Sequence, residues 1–204
     1  MRLKVISAAA MLVGASNVGA QTLVNFDTYP GGAPAVSGDV FTTQWAQVGV
    51  VFTDGGSGGP GPANNPCSYS PPNHAAAGSG LIVAWFVDPC TGAPSATNFA
   101  GTRQDNCWFS GEGIDMYAYD AQGALIGHQF NAGAGNLVTF SFPTPVIARL
   151  EMFHILQGID DFVFNTPAPV PEGCPADVAP GLNGDDVVNV TDLLAVIGAW
   201  GACP

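Results

Sequence analysis

The stretch that decides the fold is Ile114-Asp-Met-Tyr-Ala-Tyr119, followed by Asp120-Ala-Gln-Gly123 and then Ala124-Leu-Ile-Gly-His-Gln-Phe130. In the first run Ile114, Met116 and Ala118 face one way, and Asp115, Tyr117 and Tyr119 the other. That is the two-residue period of a half-buried strand. The next four residues read as a hairpin turn in which Gly123 takes the left-handed conformation that other residues resist. A second strand-like run then returns.

Working outward, residues 23–28, 48–53, 81–87, 137–142, 146–154 and 159–164 have the same length and composition. Short strands separated by turn signals predict a mainly β fold over residues 21–165, an antiparallel β-sandwich of jelly-roll-like type. The segment is long enough for one substantial core. Trp85, inside a continuous apolar run, is expected in that core. Residues 54–80 and 88–113 are rich in Gly, Pro, Ser and Asn. They read as an irregular lobe at an end or edge of the sandwich, where function tends to sit on such scaffolds. Trp45, Trp85, Trp108 and Tyr119 are the residues able to stack on a sugar ring, and Trp108, in that lobe, is the better candidate. Residues 166–173, Thr-Pro-Ala-Pro-Val-Pro-Glu-Gly, read as a Pro-rich, semi-extended linker.

Residues 1–20 combine Arg2 and Lys4, an apolar run from Val5 to Val13, and Val18-Gly19-Ala20. A basic start, a short apolar stretch and small residues at a cleavage point read as a secretory signal peptide. The run is too short for a permanent membrane span, and no other stretch is apolar enough. A secreted product, extracellular or at the cell surface, is therefore expected. The chain has 4 basic against 16 acidic residues and a formal charge of −12. Losing Arg2 and Lys4 would leave Arg103 and Arg149 as its only basic residues besides histidine. Nothing here neutralises phosphates, which excludes a nucleic-acid partner. Five cysteines (67, 90, 107, 174 and 203) agree with an oxidising compartment. Cys174 and Cys203 bracket the C-terminal unit and are the expected disulfide. Among the other three, one is left as a free thiol or in an intermolecular bridge.

That C-terminal unit, residues 174–204, contains Gly184-Asp-Asp-Val-Val-Asn-Val-Thr-Asp-Leu-Leu194. Asn183, Asp185, Asn189 and Asp192 stand at relative positions 3, 5, 9 and 12 of an EF-hand-type loop, a spacing that presents oxygens to calcium. Val190, Leu193, Leu194, Ile197 and Trp200 then form one apolar helical stripe. Thr191 and Asp192 open that helix, and Gly201 is placed to end it. The loop-then-helix unit resembles a dockerin repeat, most closely the single-repeat, GC-type dockerin tails of secreted bacterial proteins. The resemblance implies calcium binding and anchoring to an extracellular surface or a cohesin-like partner. The loop departs from the family pattern at Gly181, where Asp is usual, and at Asp186, where Gly is usual. Asp177 is placed to supply the missing carboxylate through a longer loop.

A second resemblance joins the ends of the β segment. Val24-Asn-Phe-Asp27 and Gly158-Ile-Asp-Asp-Phe-Val-Phe164 look like the first and last strands of carbohydrate-binding-module-type jelly rolls. It implies a structural calcium held by Asp160 or Asp161, with Asp27 as a neighbour, and polysaccharide as a ligand class.

Hydrolase, phosphate-loop and dinucleotide motifs are absent from the sequence. His74, His128 and His154 are isolated and read as surface or hydrogen-bonded residues. Glu112 and Asp115, beside Trp108 and Phe109, are the one carboxylate pair with a passing likeness to a glycosidase site. The expectation is a secreted, non-catalytic binding or adhesion protein with a calcium-dependent tail. A polysaccharide hydrolase carrying the same tail is the alternative, and a purely structural envelope protein the third reading.

Overall fold

Alternating burial along short strands builds the described part of this molecule. The computed structural model describes residues 20–55, 59–64, 68–104, 113–131, 135–154 and 158–170. Its strands are β1 Gln21–Val24, β2 Val50–Asp54, β3 Gly61–Asn64, β4 Asn73–Ala76, β5 Leu81–Phe86, β6 Ser95–Ala96, β7 Phe99–Gln104, β8 Ile114–Tyr119, β9 Leu125–Asn131, β10 Leu137–Ser141, β11 Arg149–His154, β12 Ile159–Asn165 and β13 Ala168–Pro169. A 3-10 turn, Ala46–Val48, precedes β2 and closes on Gly49 at φ 108°. No helix of the described residues is long and apolar enough to cross a membrane.

One sheet runs β10-β7-β12-β4-β3, with β1 also on β12; the other runs β2-β5-β11-β8-β9. All pairings are antiparallel. Among these strands β3–β4 and β8–β9 are hairpins within one sheet, and the other connections cross between sheets, as expected of a jelly-roll-like sandwich. The β8–β9 turn is as the sequence indicates: Gly123 sits at φ 81°, and the Asp120 N–H donates to the Ala124 carbonyl at 3.0 Å. β12 is the hub. β7 lies along one of its edges, while the other is divided between β4 at Ile159 and β1 at residues 162–165.

The core lies between the sheets. Phe52 and Phe86 from one meet Phe162 and Phe164 from the other, with ring centroids 5.3 Å apart for Phe52–Phe162 and 5.5 Å for Phe86–Phe164. All four rings are buried. A second ring cluster closes one end, where Phe26 packs on Phe41 at 5.6 Å and edge-on to Trp45 at 5.9 Å. Phe26 has φ 60°, a conformation unfavourable for a bulky residue that persists because packing fixes it. It is also why β1 stops at Val24 rather than running on through residue 28.

Two expectations need correction. The segments 54–80 and 88–113, read as an irregular lobe, contain β3, β4, β6 and β7. Two of these, β4 and β7, flank the hub β12. The chemistry that hides β7 is its Gly101: a Cβ there would meet the Val138 carbonyl and lie 2.6 Å from Thr139 Cγ2. Close strand approach requires glycine, which in sequence reads as a loop signal. Trp85 is not in the core. It is 42% exposed, while its neighbours Ala84 and Phe86 point inward.

Candidate functional site

The outward face of the β2-β5-β11-β8-β9 sheet is built by alternation. Leu150 and Met152 of β11 are buried, as are Ile114, Met116 and Ala118 of β8. Arg149, Glu151 and Phe153, with Asp115, Tyr117 and Tyr119, therefore share the solvent side. Register sets them in rows. Arg149 stands opposite Trp85 on one side and Tyr119 on the other; Glu151 is opposite Tyr117, and Phe153 opposite Asp115. β9 extends two of these rows, His128 opposite Tyr117 and Phe130 opposite Asp115.

The side chains on this face are ordered by one another. The Arg149 guanidinium lies 4.1 Å from the centre of the Tyr119 ring and 5.0 Å from that of Trp85, within cation–π range of both. It also reaches Glu151 at 3.3 Å. The Tyr119 hydroxyl donates to Glu151 Oε2 at 3.1 Å. Burial, and then that hydrogen bond, raises the Tyr119 phenol above its ordinary value. Tyr117 and His128 stack at 4.4 Å with planes 11° apart, and Phe153 meets Tyr117 edge-on at 5.8 Å. His128 Nε2 lies 2.9 Å from Asp115 Oδ1. Phe130 and Phe153 remain 59% and 41% exposed. The result is an open platform of rings with fixed polar groups between them.

The three aspartates nominated in the sandwich come together elsewhere, at a bulge in β12. Adjacent strand residues normally point to opposite faces. Here the register with β7 shifts between Asp160 and Val163, and Asp161 adopts φ 48°, a left-handed conformation that Asp tolerates. Both carboxylates thereby reach Ser70. Its N–H donates to Asp160 Oδ2 at 2.7 Å; its hydroxyl lies 3.0 Å from Asp160 Oδ1 and 2.9 Å from Asp161 Oδ1. The Asp161 N–H donates to Asp160 Oδ1 at 2.8 Å. Arg103 approaches Asp161 at 3.6 Å and covers the Tyr69 ring at 4.3 Å. Asp27 accepts from the Asn73 N–H at 2.8 Å. Burial pushes Asp160 up to about 6, against the pull of its hydrogen bonds. Asp27 is raised too, by burial first and more weakly by the charge of Asp161.

These oxygens have the hard chemistry calcium prefers. Their geometry is that of a hydrogen-bonded knot, with Ser70, Asn73, Arg103 and the Asp161 N–H facing the carboxylates. Among the described residues, no group of three or more His, Cys, Asp or Glu side chains is arranged to hold a metal ion. As placed, the carboxylates are held by chain donors, Ser70 and the Asp161 N–H on Asp160 and the Asn73 N–H on Asp27.

A shallow recess of about 260 Å³ beside β1, floored by Trp45 and Val48, is lined without a carboxylate, histidine or arginine. Trp108, Glu112, Asp177, Asn183, Asp185, Asn189, Asp192 and the Cys174–Cys203 pair lie outside the described residues. Cys90 is an exposed free thiol. Sequence reasoning passed over Trp85, Arg149, Glu151, Tyr117, His128, Phe130 and Phe153 as a group. The available signal was the two tyrosines on the polar side of the alternation in residues 114–119.

No family model matches the sequence, and no curated protein matches it. Among solved structures, the family 32 CBM from C. perfringens NanJ, determined in complex with galactose, is similar to this chain. It is 11% identical, with a TM-score of 0.28, over 71% of this chain and 92% of that one. A likeness this remote transfers nothing to individual residues.

Proposed function

We propose that this is a secreted, non-catalytic binding protein that presents the ring-bearing face of its five-stranded sheet to carbohydrate. One observation carries the reading: six ring side chains, Trp85, Tyr117, Tyr119, His128, Phe130 and Phe153, share one outward sheet face. The open side of an antiparallel sheet is ordinarily polar, and a contiguous exposed apolar patch marks an interaction surface. Sugar rings offer C–H groups to aromatic faces and hydroxyls to nearby polar groups, and Arg149, Glu151 and Asp115 stand between the rings.

Trp85→Ala is expected to weaken retention on immobilised polysaccharide at least tenfold, read by affinity electrophoresis, with the melting temperature nearly unchanged. A change at a partly exposed site away from the core moves stability little. Full retention by the variant would remove the platform from the reading.

In this proposal the tail anchors the protein to an extracellular surface or cohesin-like partner. Asn183, Asp185, Asn189 and Asp192 supply oxygens to calcium and Asp177 adds one; support comes from their spacing in the sequence. Calorimetric titration of the full chain with calcium should show binding that Asp192→Ala abolishes. Heat unchanged by that substitution would dismiss the tail as the calcium site.

A further inference from the structure

Resting on the carbohydrate reading above, we infer that the ligand is an uncharged polysaccharide chain laid across the strands, engaging Trp85 and the Tyr117–His128 stack together. It is neither a single sugar nor a polyanion.

The first ground is span. Trp85 stands on β5 and Tyr117 on β8, with β11 between them. Strands lie about 4.8 Å apart, so the two are separated by about 10 Å across the sheet, and His128 on β9 lies one strand further. That reach exceeds one sugar ring, so a monosaccharide can touch one end of the platform or the other. A chain can touch both.

The second ground is openness. The platform spans the sheet from β5 to the edge strand β9, and its outermost rings are exposed. A terminal sugar is ordinarily gripped by a walled pocket that buries most of its surface. Among the described residues the outer rings of this face stand open to solvent, and such a face accepts the interior of a chain, whose two ends continue past the protein.

The third ground is charge. The charged groups on the face already have partners: Arg149 with Glu151 and two rings, and Asp115 with the His128 ring nitrogen. Arg103, the other arginine among the described residues, is held at Asp161. A uronate or sulfate chain would therefore meet an arginine that is already paired, on a protein of formal charge −12, and long-range repulsion would slow its approach. A polyamine chain would meet carboxylates that are already bridged. Hydroxyls need no charge of their own and can hydrogen-bond at the edges of these fixed pairs.

The test is calorimetry on the full chain, with sedimentation in parallel. The probes are a β-1,4-glucan ladder from glucose to cellohexaose, soluble β-glucan, galactomannan, xylan and galactan, and the acidic polymers polygalacturonate and chondroitin sulfate. At least one neutral polymer should bind, with affinity rising at least tenfold from its single sugar to its hexamer. Trp85→Ala and Tyr117→Ala should each remove at least tenfold of that affinity. Equal affinity for single sugar and hexamer would overturn the chain-length inference while leaving the carbohydrate reading intact. Tighter binding of an acidic polymer, weakening with salt, would overturn neutrality alone. Silence across the whole panel would overturn the carbohydrate reading itself. So would a dimer that Trp85→Ala dissociates, since the face would then belong to a second copy.

Discussion

Phe162→Ala should remove about 3–5 kcal/mol of stability, the usual loss for deleting a buried phenyl ring. Phe162 is fully buried on the hub strand. Its ring meets Phe52 at 5.3 Å, Phe164 at 5.7 Å and Phe86 at 6.3 Å, so it joins rings of both sheets. The backbone on either side cannot close the void, because Phe162 pairs with Val24 on β1 while β12 is held by β7 across the bulge. Domains are stable by only about 5–15 kcal/mol in total, so the variant should be partly unfolded at moderate temperature. Urea denaturation followed by tryptophan fluorescence measures this, with Phe162→Leu as the milder comparison. A midpoint shift worth less than about 1 kcal/mol would mean that the sheets are not joined through this ring.

The second large effect is one of pH. Asp160 is raised from 3.8 to about 6 in the folded chain, with burial the main cause. Between those values the native state holds a proton that the unfolded state has released. The contribution is therefore complete below pH 4 and is lost as the pH rises through about 6. The gap corresponds to roughly 3 kcal/mol at most. Asp27, also raised, adds in the same direction. Asp39 and Asp88 are lowered by hydrogen bonds from Val36 and Thr91, so their contributions are lost on acidification below the ordinary carboxylate range, outside this window. Urea midpoints from pH 4 to 7, taken in chelator so that divalent cations do not intervene, should fall with rising pH. Asp160→Asn should flatten that slope. Parallel profiles for the two proteins would place the titrating group elsewhere.

The strands that could be read from sequence were those whose two faces differ in polarity. Residues 114–119 alternate without exception, and both the strand and its turn fall where that pattern puts them. β4 and β7 escaped because their sequences, Asn-His-Ala-Ala and Phe-Ala-Gly-Thr-Arg-Gln, mix small and polar residues. Asn73, His74, Thr102 and Gln104 are nevertheless buried there. Polar side chains inside a sheet are satisfied by partners distant in sequence, such as the Asp160 carbonyl for Thr102 at 2.9 Å, and no local window contains those partners. Trp85 was misplaced for a related reason. Leu81, Val83 and Trp85 alternate with Ile82, Ala84 and Phe86, and when both sets are apolar a two-residue period cannot say which faces solvent. The decisive neighbour was Arg149, an outward charge that stands opposite Trp85 only once β11 pairs with β5. The meeting of Asp160 and Asp161 at Ser70 depends on a bulge, which adjacent carboxylates alone do not announce.

The pairing of β1 with β12 sets a clock on the polypeptide. Gln21 waits for Asn165 and Val24 for Phe162, so the first described strand stays without this neighbour until nearly the last described one has been made. An early chain carries Leu23, Val24 and Phe26 with no sheet to join, and pairings this distant in sequence form slowly. A ribosome-bound chain should therefore remain extended and protease-sensitive through most of its synthesis. It should then become resistant in one late step, when residues 159–165 are released.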